Sequence, residues 1–226
     1  MSGLIVALDF PTVDDAVTVA KPLVEVVDGF KVGLELLSAE GPGAIETVAA
    51  LGRPVFADMK LHDIPNTVER AASRIAAAGA RWVTTHASGG AEMLEAANRG
   101  MGGTGVLAVT VLTSFSEEDL VAIGVTTGIA GQVEGLARLA QGSGVEGLVC
   151  APGEVAGIRA SGIDLTVFTP GIRMELGDRH DQKRVATPLE AIAAGADYLV
   201  VGRPITQAPD PVAVAREIGI SLTPTR

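Results

Sequence analysis

Eight short β-branched runs, each followed by an Ala- and Glu-rich stretch of helical spacing, leave this chain few ways to fold. The runs are LIVALDF (4–10), GFKVGLEL (29–36), PVFADMKL (54–61), RWVTTHAS (81–88), GVLAVTVL (105–112), GLVCAP (147–152), LTVFTPGI (165–172) and DYLVVGRP (197–204). Near-continuous apolar strands alternating with helices require a parallel sheet whose outer face is covered. Segments such as TVERAASRIAAAGA (67–80) and TPLEAIAAGA (187–196) supply the helices, and both end in Gly-Ala before the next strand, as expected of a glycine C-cap. Eight such units without an evident linker predict the α/β class: a closed (β/α)8 barrel of TIM type, spanning residues 1–226 as a single domain. An open doubly wound sheet would carry a glycine-rich turn after its first strand. That turn reads LDFPTVDDA, with no glycine.

Composition narrows the function. Apolar residues make up 47% of the chain and aromatics only 3%, so the core is built from Ala, Val, Leu and Ile. The formal net charge of −10 repels polyanions, which argues against nucleic acid or an anionic membrane as the main partner. A small phosphorylated ligand stays open, because a local cluster of Arg and Lys can outweigh the global sign. The single cysteine, Cys150, excludes an internal disulfide and a Cys-based zinc site, and is expected as a small core hydrophobe. No apolar run reaches the roughly 20 residues that span a bilayer. The N-terminus MSGLIVALDF lacks a basic leader and enters a strand at once, so a cytoplasmic protein without a signal peptide is expected.

In a barrel of this type, active sites gather at the C-terminal ends of the strands. Polar residues fall there repeatedly: Asp9 ends the first run, Lys31 lies in the second, and Asp58 and Lys60 end the third. His86 and Ser88 end the fourth, Thr113 and Ser114 follow the fifth, Arg173 the seventh and Arg203 the eighth. Asp58 and Lys60 are two apart on a strand, so both side chains are expected on one face, with Lys31 on the neighbouring strand. Buried ion pairs are weak sources of stability, so charges retained here point to something that binds. Asp63 lies beyond the strand, where it either faces the same cavity or reaches elsewhere. DIPNT then opens a helix, with Pro65 limiting its start and Asn66 expected as the N-cap. Asp9, Asp58 and Asp63 offer oxygen ligands for magnesium, but two interposed lysines would repel a divalent ion and already supply the counter-charge. No metal is therefore expected. The three histidines, His62, His86 and His180, have no metal-ligand spacing, and local hydrogen bonds are expected to satisfy His62 and His86.

Barrels often bind phosphate with the loops after strands seven and eight, which here read TPGIRMELGDRHDQKR (169–184) and VGRPI (201–205). Gly202 allows close approach of a backbone N–H to an anion, and Arg203 supplies a planar fork for two phosphate oxygens. The first loop, with donors Arg173, Gln182 and Arg184, is expected to fold over a bound anion.

These motifs resemble the orotidine 5′-phosphate decarboxylase family. The likeness rests on ALDF, FKVGLEL, FADMKLHDIPNT, TVLTS, TPGIR with downstream Gln182, and VGRPI, and runs from the first strand to the eighth. It implies a (β/α)8 homodimer that uses no metal or organic cofactor and converts orotidine 5′-phosphate to UMP and CO2 in pyrimidine biosynthesis. It also implies that Lys60 protonates C6, that Asp58 lies beside the departing carboxylate, and that Lys31 links the ribose to Asp58. Asp9 would hold a ribose hydroxyl, and Asp63, Ile64 and Thr67 would cross into the partner's site. Thr113 or Ser114 would contact the pyrimidine, while Pro170, Arg173, Gln182, Gly202 and Arg203 would line or hold the phosphate end. Two other readings compete: a magnesium-dependent sugar-phosphate barrel, which would carry an acid in place of Lys31, and a non-catalytic phosphate-binding barrel, which would not need Lys60.

Overall fold

The computed structural model describes residues 2–173 and 184–222. Among them eight strands close a parallel barrel in sequence order: β1 (Gly3–Leu8), β2 (Gly29–Val32), β3 (Val55–Leu61), β4 (Trp82–His86), β5 (Val106–Val109), β6 (Gly147–Val149), β7 (Thr166–Thr169) and β8 (Tyr198–Val201). β8 returns to pair with β1, with Ile5 opposite Val200, so no strand edge is left open. Every predicted strand is present, each shorter than its apolar run. Most of the surplus residues follow their strands, at the C-terminal rim. The helix Pro65–Ala77 is followed by Gly79 at φ +94°, and Pro188–Ala193 by Gly195 at φ +102°, so glycine takes the left-handed turn after each.

Strand periodicity sorts side chains into two shells. Leu4, Val6, Leu8, Phe30, Val32, Val55, Ala57 and Val83 face the helices in one apolar cluster. Ile5, Ala7, Phe56, Trp82, Leu107, Phe168 and Val200 form a second cluster inside the barrel. The few aromatic residues are concentrated there. Phe168 stacks on Tyr198 at 4.5 Å and meets Trp82 and Phe56 edge-on at 5.2 and 5.7 Å. Glu146, just before β6, ties the N-terminal rim. It accepts from Arg81 Nη1 and Nη2 (2.9 and 2.6 Å), from Trp82 Nε1 (2.8 Å) and from the Gly105 amide (2.9 Å). The polar groups at this end are thus paired with one another. Among the described residues no helix is long and apolar enough to cross a membrane.

One local expectation fails. The helix that begins at Pro65 is capped by Ile64, not Asn66, and Asp63 Oδ1 accepts from the Ile64 amide at 2.6 Å. Proline needs no hydrogen-bond acceptor and its φ suits the first turn, so the helix starts at Pro65 and takes Asn66 inside it.

The interior ring stack makes a measurable demand. Phe168→Ala, at a fully buried site, should destabilise the protein by about 3–5 kcal/mol in denaturant unfolding. A loss under about 1 kcal/mol would show that the ring does not fill a packed interior.

Candidate functional site

Following the inward-facing positions up each strand leads into one cavity of about 220 Å³ at the C-terminal end of the barrel. On β1 the inward series Ile5, Ala7 continues to Asp9, one residue beyond the strand. On β2 it is Lys31, whose register partners Ala7 and Phe56 also face inward. On β3, Phe56 is followed by Asp58. Val109, Val111, Leu112, Val149 and Cys150 give the cavity an apolar side, while Thr113, Pro170, Gly171, Arg173, Gly202 and Arg203 line it further round.

Asp58 stands between two ammonium groups. Its Oδ1 is 2.8 Å from Lys60 Nζ and its Oδ2 is 3.5 Å from Lys31 Nζ, which also lies 2.9 Å from Asp9 Oδ1. The Asp58 side chain is only 14% exposed and that of Lys31 only 11%. Burial alone would neutralise both. For Asp58 that penalty is outweighed by Lys31 and Lys60 and by hydrogen bonds from Lys60 and Thr84, which hold its carboxyl below the usual range. For Lys31, burial is likewise outweighed by the Asp58 and Asp9 carboxylates, which raise its pKa above that of an ordinary lysine. Both groups stay charged because each lies against its opposite.

The path of β3 corrects a simple two-residue alternation. Ala57 pairs with Val83, but Leu61 pairs with Thr85, so Asp58, Met59 and Lys60 together face the single residue Thr84. This bulge is accommodated by Lys60 itself, which adopts φ +50°; among the described residues it is the one non-glycine with positive φ. That conformation costs about 1–2 kcal/mol for an L-residue with a side chain. Strain of this kind concentrates at functional sites. Lys60 still reaches Asp58, through a bent strand rather than a regular one.

Two contributors were not singled out by motif. Thr84, fully buried on β4, donates from Oγ1 to Asp58 Oδ1 (2.9 Å) and accepts from the Lys60 amide (2.9 Å). Its alternation with Trp82 and His86 was the available signal. Gly33 is the other: a Cβ there would lie 2.5 Å from Asp9 Oδ1 and 2.7 Å from Lys31 Nζ, so only hydrogen leaves room for that pair.

The remaining expected residues divide clearly. Thr113 lines the cavity, whereas Ser114 is exposed and lies outside its lining. Arg173, only 8% exposed, and Arg203, which begins the helix Arg203–Thr206 after Gly202, bring two guanidinium groups to the β7–β8 side. Arg184, expected as an anion donor, does not line the cavity; it pairs with Glu154 and donates to the Leu112 carbonyl at 2.6 Å. Its terminal nitrogens are taken up by the carboxylate and the carbonyl, while its buried Nε finds no partner among the described residues. Asp63, Ile64 and Thr67 are exposed and absent from the cavity wall. Gln182 and His180 lie outside the described residues. Cys150 is buried as expected, and burial pushes its thiol up to about 12.

Among the described residues, His62 and His86 do not find the expected hydrogen bonds. Their rings face each other at 5.5 Å, because the bulge carries His62 over the end of β4. Burial, then His62 and Lys60, lower the pKa of His86 against a weaker opposing pull from Asp58.

The cavity carries four cationic side chains (Lys31, Lys60, Arg173 and Arg203) against two carboxylates, a local excess of positive charge in a strongly acidic chain. It is built for an anion. The Lys31 ammonium lies between Asp9 and Asp58, in the space a divalent ion bridging them would need.

Comparisons with known proteins agree. The family profile "Orotidine 5'-phosphate decarboxylase / HUMPS family" matches residues 2–218. An orotidine 5'-phosphate decarboxylase of Anaeromyxobacter sp. (strain K) is 54% identical over 218 residues, 96% of each chain. One from Chromohalobacter salexigens is 48% identical, covering 95% of this chain and 93% of the other. The crystal structure of orotidine 5'-phosphate decarboxylase from Lactobacillus acidophilus superposes with a TM-score of 0.84 at 35% identity, covering 99% of this chain and all of that one.

The lowered His86 pKa carries a sign. An unfolded histidine takes up a proton near pH 6.5, which the folded protein resists, so stability falls as pH drops through about 6.5. His86→Gln should flatten this loss in urea midpoints measured between about pH 7.5 and 5.5. Equal slopes in the two proteins would mean that His86 is as solvated folded as unfolded.

Proposed function

The chain belongs to the orotidine 5'-phosphate decarboxylase / HUMPS family, and we propose that it converts orotidine 5'-phosphate to UMP and CO2 with Lys60 as the proton donor. The observation that carries this reading is the Lys31–Asp58–Lys60 array, largely withdrawn from solvent and facing an anion-attracting cavity that ends at Arg203. Breaking the bond between C6 and the carboxylate leaves an electron pair in the plane of the pyrimidine ring. No π-system can receive it, so an electron sink is of no use. An ammonium fixed beside C6 stabilises the developing charge and then transfers a proton to it. Asp58 holds the Lys60 ammonium in place at 2.8 Å, and solvent restores the lysine proton afterwards.

The other residues bind and orient. Asp9 and Lys31, held 2.9 Å apart, present acceptor and donor to ribose hydroxyls. Thr113 is favoured over Ser114 for the pyrimidine because only Thr113 lines the cavity. Arg173, Arg203 and the Gly202 backbone, with Pro170 beside them, hold the phosphate, and Gln182 is assigned there by family likeness alone. Binding energy gathered at this remote group can be used to align C6 with Lys60. The sugar-phosphate alternative needs an acid in place of Lys31, and a passive phosphate binder gives no reason for Lys60 to be strained. The reading also places the protein in the cytoplasm as one catalytic barrel.

The site is completed, in this proposal, by a second copy. Asp63, Ile64 and Thr67 stand exposed at the rim, with Ile64 66% exposed, a chemistry suited to an interface. A two-fold dimer makes each subunit give and receive the same loop.

Two experiments decide these points. Loss of orotidine 5'-phosphate, followed by absorbance with and without chelator, should proceed equally in both conditions and nearly vanish in Lys60→Ala. Retention of more than about a tenth of wild-type kcat, a loss under about 1.4 kcal/mol, would remove Lys60 from the chemical step. For the shared site, inactive Lys60→Ala and Asp63→Ala proteins are mixed under conditions of subunit exchange. One site of the heterodimer then carries both lesions and the other neither, so activity should return. An exchanged mixture that stays inactive places Asp63 within its own subunit's chemistry.

A further inference from the structure

The bulge in β3 closes a hydrogen-bonded ring that begins and ends on one residue. The Lys60 amide donates to Thr84 Oγ1 at 2.9 Å, Thr84 Oγ1 donates to Asp58 Oδ1 at 2.9 Å, and Lys60 Nζ donates to that same Oδ1 at 2.8 Å. The directions follow from chemistry. An amide can only donate, so the hydroxyl must accept from it and has one proton left, which goes to the carboxylate. Both the backbone and the side-chain end of Lys60 are therefore tied to a single buried frame. Thr84 is fully buried and does not line the cavity, so no ligand can reach its hydroxyl in this arrangement. Its neighbour Thr85 is equally buried, yet its Oγ1 has no partner, so burial on β4 does not by itself recruit a hydroxyl into the site.

We propose that Thr84 is a positioning residue for the proton-donor lysine: its hydroxyl holds Lys60 in the left-handed backbone conformation and orients the Asp58 carboxylate that aims Nζ. The inference rests on the decarboxylase reading for its kinetic consequence but not for its geometric one. A valine keeps the shape of threonine, leaves the Lys60 amide without an acceptor and takes one donor from Asp58. The lysine is then free to leave φ +50°, and Nζ loses its fixed bearing on the ligand. Groups that contact the phosphate and ribose are untouched.

The test compares Thr84→Val, Thr84→Ser and wild type. Thr84→Val should lower kcat about ten- to hundredfold, the effect of losing one hydrogen bond to a charged group. KM and the Kd for UMP should stay within about threefold, and Thr84→Ser, which restores the hydroxyl, should recover kcat to within about threefold. A merely structural threonine would lower the melting temperature and UMP affinity together and leave no split between kcat and KM. Unchanged kcat in Thr84→Val overturns the proposal, and so does a serine variant as impaired as valine, since the methyl group would then be what matters. If Thr84→Val does not fold, Thr84→Cys, a weak donor and acceptor of similar size, should show the same split to a smaller degree; full activity overturns the proposal. Should wild type prove inactive on orotidine 5'-phosphate, the decarboxylase reading fails by itself. The geometry is then judged by the crystal structure of the folded variant: Lys60 leaving the left-handed region supports the positioning role, and an unmoved Lys60 ends it.

Discussion

The Asp58 carboxylate, buried between two ammonium groups, is the contact on which the rest of the site depends. A lone carboxylate at that depth would take up a proton, and a lone lysine there would lose one. Together with Asp9 and the Thr84 hydroxyl, the two lysines and Asp58 form a network in which each charge is stabilised by its opposite. The network is costly as a source of stability, since apolar side chains of similar volume would serve as well or better. Its advantage is fixed charge. In the proposed reaction, a proton donor held in place before the ligand arrives need not reorganise while the reaction proceeds.

The barrel can carry this cluster because its two ends do different work. Interior aromatic packing around Phe168 and the Glu146 hydrogen bonds hold the N-terminal end without the Asp9–Lys31–Asp58–Lys60 cluster. The inward positions of β1, β2 and β3 then change from apolar to charged within one alternation step, from Ala7 to Asp9 and from Phe56 to Asp58. Cations divide between the β2–β3 side, where Lys31 and Lys60 sit, and the β7–β8 side with Arg173 and Arg203. An elongated ligand with an anionic group at each end matches that division.

Much of this was legible in the sequence, for a physical reason. Strand and helix periods are local properties, so the eight strands and their order follow from spacing alone. Once the barrel is inferred, residues at strand ends must converge, which identifies Asp9, Lys31, Asp58, Lys60, Thr113, Arg173 and Arg203 without coordinates. The failures are equally physical. Asn66 is a good cap by type, but Pro65 starts the helix ahead of it. Arg184 is a plausible anion ligand by charge, but Glu154 and the Leu112 carbonyl claim it. In each case a local preference lost to a neighbour whose position depends on the fold.

The sequence by itself determined the barrel, its polar rim and the identity of the charged residues, because periodicity and residue chemistry are written along the chain. Only the tertiary structure decided how those charges are held. That three residues of β3 would face one of β4, that Lys60 would take a left-handed backbone, that Thr84 would bridge it to Asp58 and that Gly33 would make room for Asp9 and Lys31 are facts of register and close approach. Register between neighbouring strands is set by packing across the whole barrel, and a residue's own neighbours in sequence carry no record of it.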